Sequence, residues 1–311
     1  MARILVVGSI HMDFVVTVPR LPQVGETVLG KGFVMKPGGK GANQAVAASR
    51  LGAETFMVSR VGADDVGKRL LENLEGNRVS TRYVVVDEET HSGVAFILVD
   101  SEGRNVIAVA PGVDDRVSVG DVDRALRELK GVEVLLLQLE IPLETVVYAA
   151  KAYSERRVTV ILNPAPYKSL PREIFPHLYA ITPNRVEAEQ MTGVRIEAVS
   201  DCRVAGRRLL SLGVKVAVIT LGAKGAYVVS EEFEGLVEGF EVPVVDTTGA
   251  GDAFNGALAV ALAEGLDIAE AVKFANATAA LKVTKLGAQE GLPSRDEVAE
   301  FLKKRGVNIG L

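Results

Sequence analysis

Val245-Asp246-Thr247-Thr248-Gly249-Ala250-Gly251-Asp252-Ala253-Phe254-Asn255-Gly256 is the stretch that decides how this chain is read. An apolar, strand-like run from Val242 to Val245 feeds a turn of small residues, and the turn opens a helical pattern over Ala253 to Ala263. Gly249 and Gly251 let backbone approach a bound group with no Cβ in the way. The N–H groups of the turn then lie at a helix N-terminus, whose partial positive charge favours an anion such as phosphate. Asp252 falls in the same turn. A carboxylate beside an anion site is repelled unless it has a task. The natural task is to take the proton from a hydroxyl that attacks phosphorus. Taken alone, Asp252 reads more simply as a helix cap.

A second turn of the same kind changes that balance. Pro37-Gly38-Gly39-Lys40-Gly41-Ala42-Asn43-Gln44-Ala45 is again a glycine turn entering a small-residue helix, Ala42 to Leu51, and it presents Lys40 and Asn43. It is not a Walker loop, because Gly-x-x-x-x-Gly-Lys-[Ser/Thr] occurs nowhere in the chain.

Outward from these turns, apolar runs alternate with helical patterns. Ile4 to Val7, Thr55 to Ser59, Val134 to Gln138, Val158 to Leu162, Tyr179 to Ile181 and Val216 to Thr220 read as buried strands. Helical stretches at 42–51, 65–74, 121–129, 143–154, 184–191, 201–212, 253–264, 267–284 and 295–304 lie between or after them. This alternation predicts an α/β fold, a mostly parallel sheet with helices on both faces and ligands beyond the carboxyl ends of the strands. Two regions break the rhythm. Residues 13–36 and 92–110 read as strands and turns without a helix, the second with Asp100-Ser101-Glu102-Gly103 as a hairpin turn, and each is expected to form a small sheet outside the main one.

The 311 residues, 48% hydrophobic and 24% charged, suffice for one large α/β domain or two ordinary ones. A formal net charge of −5 argues against a general nucleic-acid binder, which needs a basic face, so a phosphate-bearing substrate is held by local loops. Cys202 is the only cysteine, which leaves no internal disulfide and suits a reducing compartment. The start, Met1 to Gly8, is too short for a secretion signal and reads as a strand. No stretch approaches the ~18 apolar residues of a membrane span. The expected location is the cytoplasm, with no membrane partner.

The two glycine turns together resemble the signatures of the ribokinase-like sugar kinase family, also called the phosphofructokinase B family. Gly38-Gly39-Lys40-Gly41-Ala42-Asn43-Gln44-Ala45 is similar to its N-terminal signature, and Asp246 to Gly256 to its C-terminal one. The similarity runs from Gly8-Ser9 to Gly287-Ala288-Gln289. It implies a single kinase domain over 1–311, built as three αβα layers with a β-lid from about 13–36 and 92–110 that covers the sugar site and pairs subunits into a homodimer. It also implies ATP-dependent phosphorylation of a pentose, foremost D-ribose to ribose 5-phosphate, with a nucleoside, fructose or deoxyribose as the alternative acceptor.

The same resemblance assigns roles. Asp252 is the general base, and the N–H groups of Gly249, Ala250 and Gly251 cradle the transferring phosphate. Asp13, Gly39, Lys40, Asn43, Glu140 and Asp252 hold the sugar. Asp13 and Glu140 also follow strand ends on the plain reading of the sequence. His11 stands where the family typically has Asn, which presents its donor and acceptor in a different geometry, so His11 joins the sugar set as a specificity candidate. On the nucleotide side, Asn184 and Glu187 lie near magnesium and the phosphates. Thr220, Gly222, Lys224 and Gly225 flank the ribose and phosphates, and Asn276 meets the adenine. A potassium site is implied at Asp246, with carbonyls of Thr248, Lys282, Lys285 and Gly287. Gly291 stands where the family often has Ser, which removes one oxygen ligand.

Two other classes compete. A nicotinamide-dependent oxidoreductase needs Gly-x-Gly-x-x-Gly after its first strand, and Val7-Gly8-Ser9-Ile10-His11-Met12 lacks it. A non-catalytic sugar-binding protein has no use for Asp252 beside two glycine turns.

Overall fold

The computed structural model describes residues 1–310. In chain order the elements are β1 (Arg3–Val7), β2 (His11–Thr17), β3 (Gly32–Gly38), α1 (Lys40–Arg50), β4 (Glu54–Gly62), α2 (Asp65–Gly76), β5 (Val79–Asp87), β6 (Gly93–Val99), β7 (Asn105–Ala110), α3 (Val119–Glu128), β8 (Val134–Leu137) and α4 (Leu143–Ser154). They continue with β9 (Thr159–Leu162), β10 (Ala180–Ile181), α5 (Arg185–Thr192), α6 (Val199–Leu210), β11 (Val216–Thr220), β12 (Gly225–Val229), β13 (Glu234–Glu238), α7 (Ala250–Ala263), α8 (Ile268–Val283) and α9 (Arg295–Lys304).

Nine strands form the main sheet in the order β13-β12-β11-β10-β9-β8-β1-β4-β5. All neighbours run parallel except that β12 is antiparallel to both β11 and β13. The central strands are apolar on both faces, and alternate side chains enter different cores. On β1, Ile4 and Val6 join α1, α7 and α8 in one core, while Leu5 and Val7 pack with α3 and α4 in the other. The α/β expectation of a parallel sheet sandwiched by helices is met.

Three strands escaped the sequence reading. β5 is an edge strand in which only every fourth residue is buried, so no apolar run announces it. β12 and β13 form a hairpin at the opposite edge. One expected strand is absent. Val242 to Val245 forms no ladder: Val244 and Val245 are exposed, and the N–H groups of Val245 and Asp246 both donate to the Val283 carbonyl at the end of α8. α7 also starts at Ala250, three residues earlier than its apolar pattern.

The two irregular regions do not form separate sheets. They combine into one four-stranded sheet, β3-β2-β6-β7, because β2 runs parallel to β6 between two antiparallel neighbours. By register, Phe33, Phe96 and Val106 share one face, and Val34, Ile107 and Val109 the other; all six are about half exposed.

Candidate active site

The two glycine turns converge because α1 and α7 touch backbone to backbone. A Cβ on Gly256 of α7 would stand 2.6 Å from Ala47 Cβ and 2.9 Å from the Gln44 carbonyl, so only glycine permits this crossing. The start of α1 is fixed against the β1–β2 connection in the same way. Gly39 has φ 91°, and a Cβ there would meet the Ser9 carbonyl at 2.8 Å. Ala42 N–H donates to the Ser9 carbonyl at 3.0 Å.

This crossing brings Asn43 and Gln44 to Asp252. Asn43 Nδ2 donates to Asp252 Oδ2 at 2.9 Å, and Gln44 Nε2 to Asp252 Oδ1 at 3.1 Å. Asp252 is buried, and burial holds its carboxyl above the usual range; the Lys40 charge and the two amides oppose this, and Glu140 adds to it. A raised carboxyl pKa makes a stronger base. Asn43 is itself oriented by Gln289, whose Nε2 donates to Asn43 Oδ1 at 2.9 Å.

Gln44 anchors the site to the sheet. Gln138 Nε2 donates to Gln44 Oε1 at 2.6 Å, and Gln44 Nε2 also reaches Asn163 Oδ1 at 3.2 Å. Thr182 Oγ1 donates to Asn255 Oδ1 at 2.6 Å, and Asn255 Nδ2 donates to the Gly251 carbonyl at 2.8 Å, fixing the first turn of α7. Gln44 lies within the N-terminal signature, yet no site role was expected of it or of Gln138, Asn163, Thr182 or Gln289. A signal existed only for Gln44, an amide inside a run of small helix residues.

Glu140 sits just past β8. Its Oε2 accepts from Ser9 Oγ at 2.6 Å and from the Lys40 N–H at 2.9 Å. Burial lowers the pKa of the Lys40 ammonium, but Asp252, Glu140, Glu187 and Asp13 outweigh it and hold it above its ordinary value. His11 lies between two carboxylates, with Nε2 3.4 Å from Asp13 Oδ1 and Nδ1 3.7 Å from Asp114 Oδ2. Burial lowers the His11 pKa, yet Asp114, Glu140 and Asp13 raise it overall. Burial pushes the Asp114 carboxyl up to about 6 despite His11 beside it. Asp114, which also accepts the Ile10 N–H at 2.9 Å, was missed by the sequence reading. His11, Asp13, Gly39, Lys40, Asn43, Glu140 and Asp252 thus form one connected cluster.

A cavity of about 540 Å³ opens on the other side of the α7 N-terminus. Thr220, Gly222, Gly225, Gly251 and Asn276 line it as expected; Lys224 does not. Its apolar wall includes Phe240, Val242 and Val244, which explains the apolar run that forms no strand. Asn276 Nδ2 donates to the Val237 and Glu238 carbonyls at 2.9 and 3.3 Å and so pins the end of β13. Of the expected phosphate donors, Ala250 N–H is already given to the Thr247 carbonyl at 3.1 Å. First-turn N–H groups such as those of Gly251 and Asp252 have no preceding helical turn to bond to.

Asn184 and Glu187 form a reciprocal cap on α5, at 2.8 and 2.9 Å. Burial raises the Glu187 carboxyl, while the Asn184 N–H and Lys40 lower it. Among the described residues no cluster of three or more His, Cys, Asp or Glu could hold a metal. One carboxylate, here the buried Glu187, is still what magnesium uses when phosphates and water complete its shell.

The residues expected around potassium do come together. Asp246 accepts from Thr248 N–H at 2.9 Å and from Gly287 N–H at 2.8 Å, and Gly291 N–H donates to the Gly287 carbonyl at 3.1 Å. A charged side chain also lies among them. The side chain of Lys282 is fully buried there, with Nζ 2.8 Å from the Asp246 carbonyl, 3.5 Å from the Lys285 carbonyl and 3.9 Å from Asp246 Oδ2. Burial lowers the Lys282 pKa and Asp246 opposes the fall. The sequence reading used only the Lys282 carbonyl and overlooked its side chain.

A three-layer α/β body with a buried carboxylate at one helix N-terminus, between a polar cluster and an apolar cavity, defines the class of small-molecule phosphotransferases. The description "pfkB family carbohydrate kinase" matches residues 1–295. The ribokinase of Bacillus subtilis (strain 168) is 44% identical over 302 residues, covering 97% of this chain and 100% of that protein. The crystal structure of ribokinase from Thermotoga maritima has a TM-score of 0.89 at 38% identity, covering 97% of this chain and 100% of the other. The structure of Arabidopsis thaliana ribokinase complexed with ribose and ATP gives 0.88 at 32%, covering 97% and 99%. The chain belongs to the pfkB family of carbohydrate kinases.

Proposed function

We propose that this chain is an ATP-dependent sugar kinase that phosphorylates D-ribose to ribose 5-phosphate. The observation that carries this reading is the Asp252 carboxylate, held by Asn43 and Gln44 on the first turn of α7, between the polar cluster and the 540 Å³ cavity. Ribose occupies the cluster of His11, Asp13, Gly39, Lys40, Asn43 and Glu140, and the nucleotide occupies the cavity with its phosphates toward Gly251. Asp252 takes the proton of the attacking hydroxyl as the oxygen–phosphorus bond forms and the bond to ADP breaks. The N–H groups of the α7 turn and the Lys40 ammonium balance the charge shifting on the phosphoryl group. Glu187, oriented by Asn184, would hold magnesium, which when bound neutralises phosphate charge. His11 keeps deoxyribose, fructose and nucleosides open as alternative acceptors.

The 1–311 chain acts as one kinase domain with the four-stranded sheet as its lid. The six half-exposed apolar side chains of that sheet support pairing with a second copy of the chain. The lone, buried Cys202 supports a cytoplasmic location. No helix is long and apolar enough to cross a membrane among the described residues. The test is an ADP-release assay over ribose, deoxyribose, fructose and nucleosides with ATP or ADP as donor. Highest kcat/KM for ribose with ATP supports the reading; sugar binding without turnover defeats it.

A further inference from the structure

We propose that the ammonium group of Lys282 takes the place of a monovalent cation behind the phosphate turn, so that this kinase needs no potassium.

Lys282 lies in the last turn of α8 and its side chain is fully buried. A buried lysine head group requires partners, and here they are oxygens of the loop that leads into α7 and of the segment after α8. Nζ donates to the Asp246 carbonyl at 2.8 Å and faces the Lys285 carbonyl at 3.5 Å, with the Asp246 carboxylate 3.9 Å away. Carbonyls and one carboxylate around a single positive charge are the surroundings a monovalent cation would have.

Gly291 is a second, independent observation. A Cβ there would stand 3.1 Å from Lys282 Cε and 2.7 Å from the Gly287 carbonyl. A side chain at 291 would therefore crowd the lysine. The residue that removes an oxygen ligand from a free cation also makes room for the tethered one.

The group acts through the loop. Asp246 ties Thr248 N–H to Gly287 N–H, and Val245 and Asp246 both bond to the Val283 carbonyl. Thr247 in turn receives the Ala250 N–H at the first residue of α7. Lys282 thereby holds the strap that sets the phosphate-facing N–H groups, without touching reacting atoms. It is a positioning residue.

This inference rests on the kinase reading only for its activity arm. Wild type and Lys282→Ala are compared in KCl and in tetramethylammonium chloride at equal ionic strength. Three quantities are measured: sugar-dependent ATP turnover, melting temperature, and Tl⁺ binding by ²⁰⁵Tl NMR as a potassium probe. Wild type is expected to turn over and melt alike in both salts and to bind no Tl⁺. Lys282→Ala, with its buried loop oxygens deprived of a cation, is expected to lose on the order of tenfold or more in turnover in tetramethylammonium. It should regain turnover and melting temperature in KCl, and bind Tl⁺. Potassium activation of wild type, saturable Tl⁺ binding to it, or a Lys282→Ala enzyme indifferent to the salt overturns the proposal. If the variant does not fold, the wild-type measurements still decide. If wild type phosphorylates no acceptor in either salt, the kinase reading fails, while melting and Tl⁺ binding still test Lys282.

Discussion

Asn43 Nδ2 and Asp252 Oδ2 are 2.9 Å apart although 209 residues separate them in the chain. Each sits in the first turns of a helix that follows a glycine turn, and the Gly256–Ala47 contact brings the helices together. The carboxylate proposed as general base and the amide that bonds it are thus held by rigid elements, as positioning at a phosphoryl group demands.

Asp252→Asn is expected to keep the fold and ATP affinity and to cut kcat by about 10²–10⁴-fold, the usual cost of losing a general base. Steady-state turnover at saturating ribose, with nucleotide binding by calorimetry, checks this. A variant retaining a third of the wild-type rate would remove Asp252 from the base role.

The pH profile should follow from burial of Asp252. Its raised pKa means the base is lost at a higher pH than for an ordinary carboxylate, so kcat/KM falls early on acidification. Lys40 is the largest charge opposing that rise. Lys40→Ala should shift the acid limb to still higher pH and weaken sugar binding by roughly 1.5–3 kcal/mol, as for a charged hydrogen bond. An acid limb that stays put, or a KM change confined to ATP, would refute it.

His11 between Asp13 and Asp114 has a raised pKa, despite burial. A raised histidine stabilises the fold fully below its unfolded pKa of ~6.5, and the contribution fades as pH rises through the folded value. The stability gap between wild type and His11→Asn should therefore narrow as pH rises past neutral, read from denaturant unfolding at several pH values. If His11 also touches the acceptor, the ranking of ribose, deoxyribose and nucleosides changes with the substitution. Superimposable unfolding curves and unchanged ranking would leave His11 as a space-filler.

Gly256→Val adds a branched side chain whose Cβ alone would stand 2.6 Å from Ala47 Cβ and 2.9 Å from the Gln44 carbonyl. The α1–α7 crossing must open, at a cost of about 1–3 kcal/mol or more. Melting temperature and kcat are expected to fall together, because Asn43 and Gln44 move with α1. A drop in stability with full kcat would show that the crossing does not set the site.

Phe96→Glu puts a charge among the exposed apolar residues of the lid. Sedimentation should show wild type as a dimer and the variant as a monomer. A wild type that stays monomeric at all concentrations rejects the lid as an interface.

The sequence alone determined what depends on local pattern. Buried parallel strands such as β1, β8 and β11 are continuous apolar runs, and the helices between them carry their own period, so the α/β class and both glycine turns were legible. β5 was not, because an edge strand buries too few residues to leave a run. Val242 to Val245 misled, because the wall of a cavity needs apolar residues as much as a strand does. The named site residues were legible through motif resemblance. Only tertiary structure decided what those residues meet. Gln44 gains its role from Gln138, Asn163 and Asp252, and an amide's partners leave no trace in local sequence. Lys282 reads as one more charged residue near a helix end until the fold encloses it with the Asp246 and Lys285 carbonyls. Periodicity encodes which face is buried; which buried groups face each other is set by how distant segments cross, and that belongs to the folded chain.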